Sequence, residues 1–320
     1  MPLKTPTFWQ DKKSILATLL APLSCLYTAA HRFNMGRQTP YISTLPVICI
    51  GNAVAGGSGK TPAALTLINL ICANNIAVNP VILTRGYGGK LKGPTSVDPA
   101  HMYPDIGDEA LMMSRHAPVI IAADRAAGAM LAELSGHDLI VMDDGFQNNT
   151  LSKTLSLLVV DAVQGFGNGK ILPAGPLREP VADVLKKTDA IISIGGTIDL
   201  ETDKPVFDAH IQTALNIDIT KSYVAFAGLG RPEKFRETLL SLGANIVGWH
   251  AFADHHPYSV QNIIELKAEA RRYNAALITT EKDFVRIPFY QRDGIETLPI
   301  TLTFQDEHAV VSFLAERLRG

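Results

Sequence analysis

A lysine and a threonine close a glycine-rich turn in this chain: Gly56, Gly57, Ser58, Gly59, Lys60 and Thr61 follow the apolar run at residues 46–50. A strand that delivers such a turn to a helix start lets backbone N–H groups wrap phosphates. Lys60 then stands beside the β/γ charge and the Thr61 hydroxyl on Mg²⁺. The usual pattern has glycine five places before Gly59, where this chain has Val54. The context supplies what the spacing lacks: Ala64, Leu67, Ile68, Ile71 and Cys72 recur at helical spacing, and Pro62 sits where a first turn tolerates it. The chemistry expected is that of a nucleoside triphosphate, with Gly56, Gly57, Ser58, Gly59, Lys60 and Thr61 as the phosphate cradle.

Phosphoryl transfer also needs a metal held by hard oxygens and a group that orients or deprotonates an acceptor. The apolar run at residues 139–142 ends in Asp143 and Asp144, the arrangement that sets an acid beside the loop's Mg²⁺. A second acidic pair, Asp108 and Glu109, opens the helical pattern at residues 111–115. Acids are common in a first helical turn for dipole reasons alone, yet a carboxylate near the γ-phosphate can accept a hydroxyl proton. His250, Asp254, His255 and His256 lie within seven residues, but their spacing matches no closed zinc site. A histidine orienting a carboxylate base or stabilising the transferring phosphoryl group fits the cluster better. Arg85, Arg125 and Arg178, all near glycine- or proline-rich loops or strand ends, are candidates for anionic groups.

Positioning these residues requires strands whose carboxyl ends share one edge. Continuous apolar runs at residues 80–83, 119–122, 139–142, 157–160 and 190–194, with helix-length connections, predict a parallel sheet covered on both faces. The fold class expected is α/β: a P-loop three-layer nucleotide domain with a mainly parallel sheet and ligands at its strand ends. Polar, proline-containing sequence at residues 197–205 precedes further strand candidates at 207–215, 223–227, 245–249, 276–279 and 298–302. With helical stretches at residues 262–274 and 307–319, these predict a smaller C-terminal α/β domain. The expected division is an N-terminal segment over residues 1–40, the P-loop domain over 41–200 and the smaller domain over 201–320, with an acceptor in the cleft.

The uncharged stretch at residues 14–30 lies between Lys12-Lys13 and His31-Arg32. It is short for a span, contains Pro22 and carries hydroxyls, so a helix lying in or dipping into a membrane interface is expected, with a true span and a buried helix as the alternatives that length does not separate. A net charge of −2, from 29 basic and 31 acidic side chains, offers no basic surface for nucleic acid. Cys25, Cys49 and Cys72 show no pairing or metal spacing and fit ordinary packing in a reducing compartment.

Taken together, these segments resemble the tetraacyldisaccharide 4′-kinase family of the lipid A pathway in Gram-negative bacteria. The resemblance runs through GGSGKTP, TRGYGG, DIGDEA, DDGFQ, GNGKILPAGPLREP, AFAGLGRPEKF, ADHH and TTEKD, in that order along the chain. It implies ATP-dependent phosphorylation of the 4′-hydroxyl of a tetraacylated glucosamine disaccharide 1-phosphate. It further implies Asp108 as catalytic carboxylate, His255 as its partner with His256 as the alternative, and Glu109 and Asp144 beside Mg²⁺ with Thr61. Arg85 and Arg178 are then the expected substrate contacts. The family commonly has histidine after DDGFQ; Asn148 stands there in this chain, which leaves that position at most a hydrogen-bonding role. The resemblance also takes in the apolar amino-terminal segment and implies the cytoplasmic face of the inner membrane, with the membrane surface and an acylated lipid as partners. A monomer is the expected state.

The rival reading is a membrane-associated P-loop NTPase switch that regulates a protein partner. A guanine-specific switch needs an Asn/Thr-Lys-x-Asp element after a late strand. The nearest match, Lys186-Lys187-Thr188-Asp189, lacks the first residue and precedes its strand.

Overall fold

The computed structural model describes residues 6–35, 39–57, 59–213 and 217–319. Its first group of strands is β1 (Val47–Gly51), β2 (Pro80–Thr84), β3 (Thr95–Ser96), β4 (Val119–Ile121), β5 (Leu139–Asp143), β6 (Leu155–Asp161), β7 (Ala190–Ile194) and β8 (Val206–Thr213). The second group is β9 (Ser222–Ala227), β10 (Asn245–Ala251), β11 (Ala276–Thr280), β12 (Ile295–Leu298) and β13 (Ile300–Phe304). The helices are α1 (Ile15–Met35), α2 (Lys60–Ala73), α3 (Tyr103–Ile106), α4 (Asp108–Met113), α5 (Arg125–Leu134), α6 (Val181–Lys186), α7 (Pro232–Ser241), α8 (Val260–Arg272), α9 (Glu281–Phe284) and α10 (Glu307–Arg319).

Among the described residues, nine strands form one sheet in the order β13-β8-β7-β6-β1-β5-β2-β4-β3. Its pairings are parallel except at the two edges, where β13 and β3 run antiparallel to β8 and β4. Alternation along β1 divides the core between two faces. Ile48 and Ile50 join the cluster that α2, α4 and α10 cover, with Leu67, Met113 and Leu314. Val47 and Cys49 join the opposite cluster, under Ala129 of α5 and Val184 of α6. Burial on both faces explains why these strands read as unbroken apolar runs.

Four further strands form a second, parallel sheet in the order β10-β9-β11-β12. It is sandwiched between α8, through Ile263 and Leu266, and α7, through Phe235 and Leu239.

The strands expected after residue 200 do not all lie in this smaller sheet. β8 pairs with β7, and β13 returns to pair with β8, so both extend the first sheet, as does α10 through Val310 and Leu314. The sheets therefore do not divide at residue 200. An apolar run reveals that a strand is buried, but not which sheet buries it. The single strand expected at residues 298–302 is two, β12 and β13, separated by Pro299, which cannot donate to either ladder. Part of the strand expected at residues 207–215 lies outside the described residues, which end at residue 213 with β8 and resume at 217. Of the cysteines, Cys49 is packed inside, whereas Cys25 and Cys72 are exposed, contrary to the expectation of ordinary packing for all three.

Helix α1 inverts the usual amphipathic arrangement. Ser14, Ala17 and Ser24 are buried, while Ile15, Leu19, Leu23, Leu26 and Phe33 face outward, Leu19 being 71% exposed. The inward face docks on the loop that follows β6: the Ser24 hydroxyl donates to the Ile171 carbonyl at 2.7 Å, and Arg32 pairs with Asp183 of α6 at 2.8 Å. No helix among the described residues is long and apolar enough to cross a membrane.

Candidate active site

Parallel pairing brings the carboxyl ends of β1, β2 and β5 to one edge, with Ile50 opposite Asp143. The glycine-rich turn leaves β1 at this edge and enters α2 through Gly59, which adopts φ +84°. A side chain there would be strained and would strike Ile194, so glycine is required. Gly56 and Gly57 are exposed ahead of it; Ser58 lies outside the described residues. Thr61 occupies the first turn of α2, beside Lys60.

Lys60 reaches Asp144, its Nζ lying 3.6 Å from Oδ1. Arg178 donates to both oxygens of the same carboxylate, at 2.9 and 3.2 Å, and to Gln147 Oε1 at 3.0 Å. Gln147 in turn donates to Glu179, which Lys187 holds at 2.8 Å. The DDGFQ and LPAGPLREP segments are thus one hydrogen-bonded unit. Burial works against the Asp144 charge, but Lys60 and Arg178 outweigh it and hold the carboxyl below its ordinary value. We expect Arg178→Lys to lower kcat/KM by about tenfold or more with little change in thermal midpoint, because a flexible lysine stem does not hold a donor on Asp144 and Gln147 together as the planar guanidinium's Nη1 does. Steady-state kinetics checks this; an unchanged kcat/KM would remove Arg178 from the site.

Asp143 is almost fully buried, and its Oδ1 has no hydrogen-bond partner. Burial pushes its carboxyl up to about 7; Glu109 adds to the rise and Lys60 opposes it. Two aspartates and a threonine hydroxyl are hard-oxygen donors that suit Mg²⁺, which keeps several waters and takes few protein ligands. Among the described residues no group of three His, Cys, Asp or Glu is arranged to hold a metal ion.

The second acidic pair stands apart from this carboxylate and meets the smaller sheet. Gly107, at φ +90°, joins α3 to α4, and a Cβ there would strike the Tyr87 carbonyl, so TRGYGG packs directly on DIGDEA. Asp108 opens α4 and is 4% exposed. Its Oδ1 accepts the Glu109 N–H at 2.9 Å, and its Oδ2 lies 2.7 Å from Nδ1 of His255. Burial again opposes the charge, and the His255 hydrogen bond with the Lys282 charge prevails, holding Asp108 below the usual carboxylate value. His255 sits in a left-handed turn at φ +55° after β10, with the exposed Tyr87 ring 6.0 Å from its own. Its Nε2, the nitrogen not bound to Asp108, lies 3.9 Å from Asp254 Oδ1.

Glu109 is paired with Lys282 at 2.8 Å, rather than with a residue of the phosphate turn. Lys282 is held above its ordinary value because Glu109 and Asp108 outweigh its burial. His256 turns away, stacked on Phe252 at 4.7 Å with Nε2 near Asn262, and His250 pairs with Glu269. Of the two adjacent histidines, His255 is therefore the one brought to Asp108. Asn148 folds back to accept from Thr150 at 2.9 Å, a local turn role. Arg85 is exposed just beyond β2, at the edge shared with Asp143. Arg125 is buried at the start of α5 with its Nε unpartnered; burial lowers its pKa, and the charge of Asp143 opposes that shift. Lys282 and Arg286 were missed as site residues; the TTEKD segment was the available signal, but nothing in its spacing ties it to Asp108.

A family model described as tetraacyldisaccharide-1-P 4′-kinase matches residues 16–319. A tetraacyldisaccharide 4′-kinase of Bradyrhizobium sp. (strain BTAi1 / ATCC BAA-1182) is 43% identical, over 99% of this chain and 96% of the relative. One from Methylorubrum extorquens (strain PA1) is 45% identical, over 95% of this chain and 96% of its own. The crystal structure of LpxK from Aquifex aeolicus in complex with ATP is similar at a TM-score of 0.81 and 26% identity, covering 95% of this chain and 100% of that one.

Proposed function

Given that the chain belongs to the tetraacyldisaccharide-1-P 4′-kinase family, we propose that Asp108 and His255 act as one proton-accepting pair beside the phosphate turn. The enzyme transfers the γ-phosphate of ATP to the 4′-hydroxyl of tetraacyldisaccharide 1-phosphate in lipid A biosynthesis. The 2.7 Å contact between His255 and Asp108 carries the reading of the pair. It joins α4, whose Ala110 and Met113 pack on the larger sheet, to the turn after β10 of the smaller one.

The hydroxyl oxygen attacks the γ-phosphorus while the bond to the bridging oxygen breaks, and ADP leaves with that electron pair. The hydroxyl proton passes to Nε2 of His255, the nitrogen that Asp108 leaves free to accept it. Asp108, whose oxygens are already engaged, holds Nδ1–H and stabilises the imidazolium that forms. This moves the accepting atom from the carboxylate to the ring it orients. Lys60 binds the β/γ-phosphates, helped by the N–H groups at the start of α2. Thr61 and Asp144, with Asp143 behind them, would hold Mg²⁺, which neutralises charge on the triphosphate. Glu109 contributes its field while its carboxylate stays committed to Lys282. Arg85 and Arg178 are the proposed contacts for the substrate's anionic groups.

The acceptor carries acyl chains and resides in a bilayer, so we place the enzyme at a membrane surface through the outward leucines of α1, on the cytoplasmic face where ATP is found. The apolar stripe opposite a docked polar stripe supports this placement. A monomer suffices, because one chain supplies the phosphate turn and the dyad. The test supplies γ-labelled ATP and the lipid acceptor in vesicles. Label should enter the lipid; label recovered only as inorganic phosphate would contradict the kinase reading. Replacing Leu19 and Leu26 by glutamate should reduce vesicle association by at least about tenfold. Transfer to acceptor dispersed in detergent should persist. Unchanged co-sedimentation of this variant with vesicles would refute the anchor.

A further inference from the structure

Among the described residues, Arg286 is the largest side chain that is less than 2% exposed, and the transfer step above makes no use of it. A guanidinium is buried only where anions and carbonyls receive its donors. Asp283 meets the first need: its Oδ1 accepts from Arg286 Nη2 at 2.7 Å, and also from the Gly228 N–H and the Tyr258 hydroxyl. That pairing would satisfy an arginine that merely held the smaller sheet together. The remaining donors run elsewhere. Nη2 also donates to the Gly228 carbonyl at 3.0 Å, and Nη1 to the His256 carbonyl at 3.2 Å. The same Gly228 carbonyl accepts the backbone N–H of His255. Two of these contacts thus fix the left-handed turn that presents the His255 ring. Finally, Nε donates to the Lys282 carbonyl at 3.2 Å and forms an ion pair, at 3.4 Å, with Asp108 Oδ2, the oxygen that receives Nδ1 of His255.

We propose that Arg286 is a positioning residue for phosphoryl transfer, holding the Asp108 oxygen and the His255 ring in register across the two sheets. The proposal rests on the dyad reading. Arg286 acts through its partners: it is sealed from solvent, so it reaches neither ATP nor lipid, and its loss should matter only while there is a ring to position.

Arg286→Lys tests this, with Asp283→Asn as a second variant that weakens the guanidinium's charged anchor while keeping its shape. Each is made in the wild-type chain and in His255→Ala, then read by single-turnover transfer of labelled phosphate, ATP affinity and thermal midpoint. In the wild-type chain each should lower the transfer rate by about tenfold to a hundredfold, with ATP affinity changed less than about twofold. In the His255→Ala chain each should cost less than about threefold. An equal loss in both chains makes Arg286 a general support and overturns the proposal, as does a wild-type rate in Arg286→Lys. Should Arg286→Lys fail to fold, Asp283→Asn decides by the same comparison. A wild-type rate in His255→Ala removes the dyad itself and this proposal with it, whereas equal losses in the two chains remove only the role of the arginine.

Discussion

Replacing Asp108 or His255 by alanine is expected to lower kcat for lipid phosphorylation by about 10²–10⁴-fold, and replacing both to cost little more than either alone. The expectation follows from shared use of one proton path. His255 Nδ1 is bound to Asp108 Oδ2 at 2.7 Å, so without the carboxylate the ring loses the partner that fixes its tautomer and supports its charge. Without the ring, nothing relays the acceptor's proton to the carboxylate, which in the intact chain lies recessed at 4% exposed with Oδ1 held by its own helix. ATP affinity should stay within about threefold in all three variants, because the phosphate turn lies on other elements and distant sites add independently. Steady-state kinetics with a direct nucleotide-binding assay checks this. A double variant whose loss equals the product of the single losses would separate the two residues into independent roles. A wild-type rate in Asp108→Ala would remove the pair altogether.

Lys60→Ala is expected to reduce kcat/KM for ATP by about 10³-fold, close to 4 kcal/mol of transition-state stabilisation. Here ATP binding should weaken as well, which distinguishes the effect from that of the dyad. Lys60 is mostly buried and already held 3.6 Å from Asp144, so its ammonium is oriented before any nucleotide arrives. Its removal leaves Asp144 to Arg178 alone, at 2.9 Å, and the fold keeps that ion pair. A Lys60→Ala enzyme with normal ATP affinity and normal turnover would show that the glycine-rich turn is only a connection between β1 and α2.

How much of this was visible in the sequence depended on the range of the interactions. The phosphate turn was legible despite Val54, because strand, glycines, lysine and helix are adjacent and each constrains the next. The strand at residues 190–194 was placed without error, since full burial on both faces leaves an unbroken apolar run. Membership of β8 and β13 in the larger sheet was not legible: β8 pairs back onto β7 across the polar 197–205 connection, β13 joins it only when the chain returns after β12, and no local pattern carries that information. The site shows the same limit. Asp108 and His255 stand 147 residues apart, and only the family resemblance joined them. Nothing in residue type separates His255 from His256; the structure does so by stacking His256 on Phe252. The acids Asp143 and Asp144 were equally ambiguous. One is sealed beneath the strand end with its carboxyl pushed up to about 7, whereas the other is turned toward Lys60 and Arg178 by a left-handed backbone.

The central claim, that this chain phosphorylates the 4′-hydroxyl of a membrane-bound disaccharide, is tested most directly by phosphorus–proton correlation spectroscopy of the lipid recovered after reaction with ATP. The account predicts one new phosphomonoester coupled to the proton at C4′, formed in equal amount with ADP. ADP accompanied only by inorganic phosphate, with the lipid unchanged, or a phosphate coupled to another ring position, would contradict it.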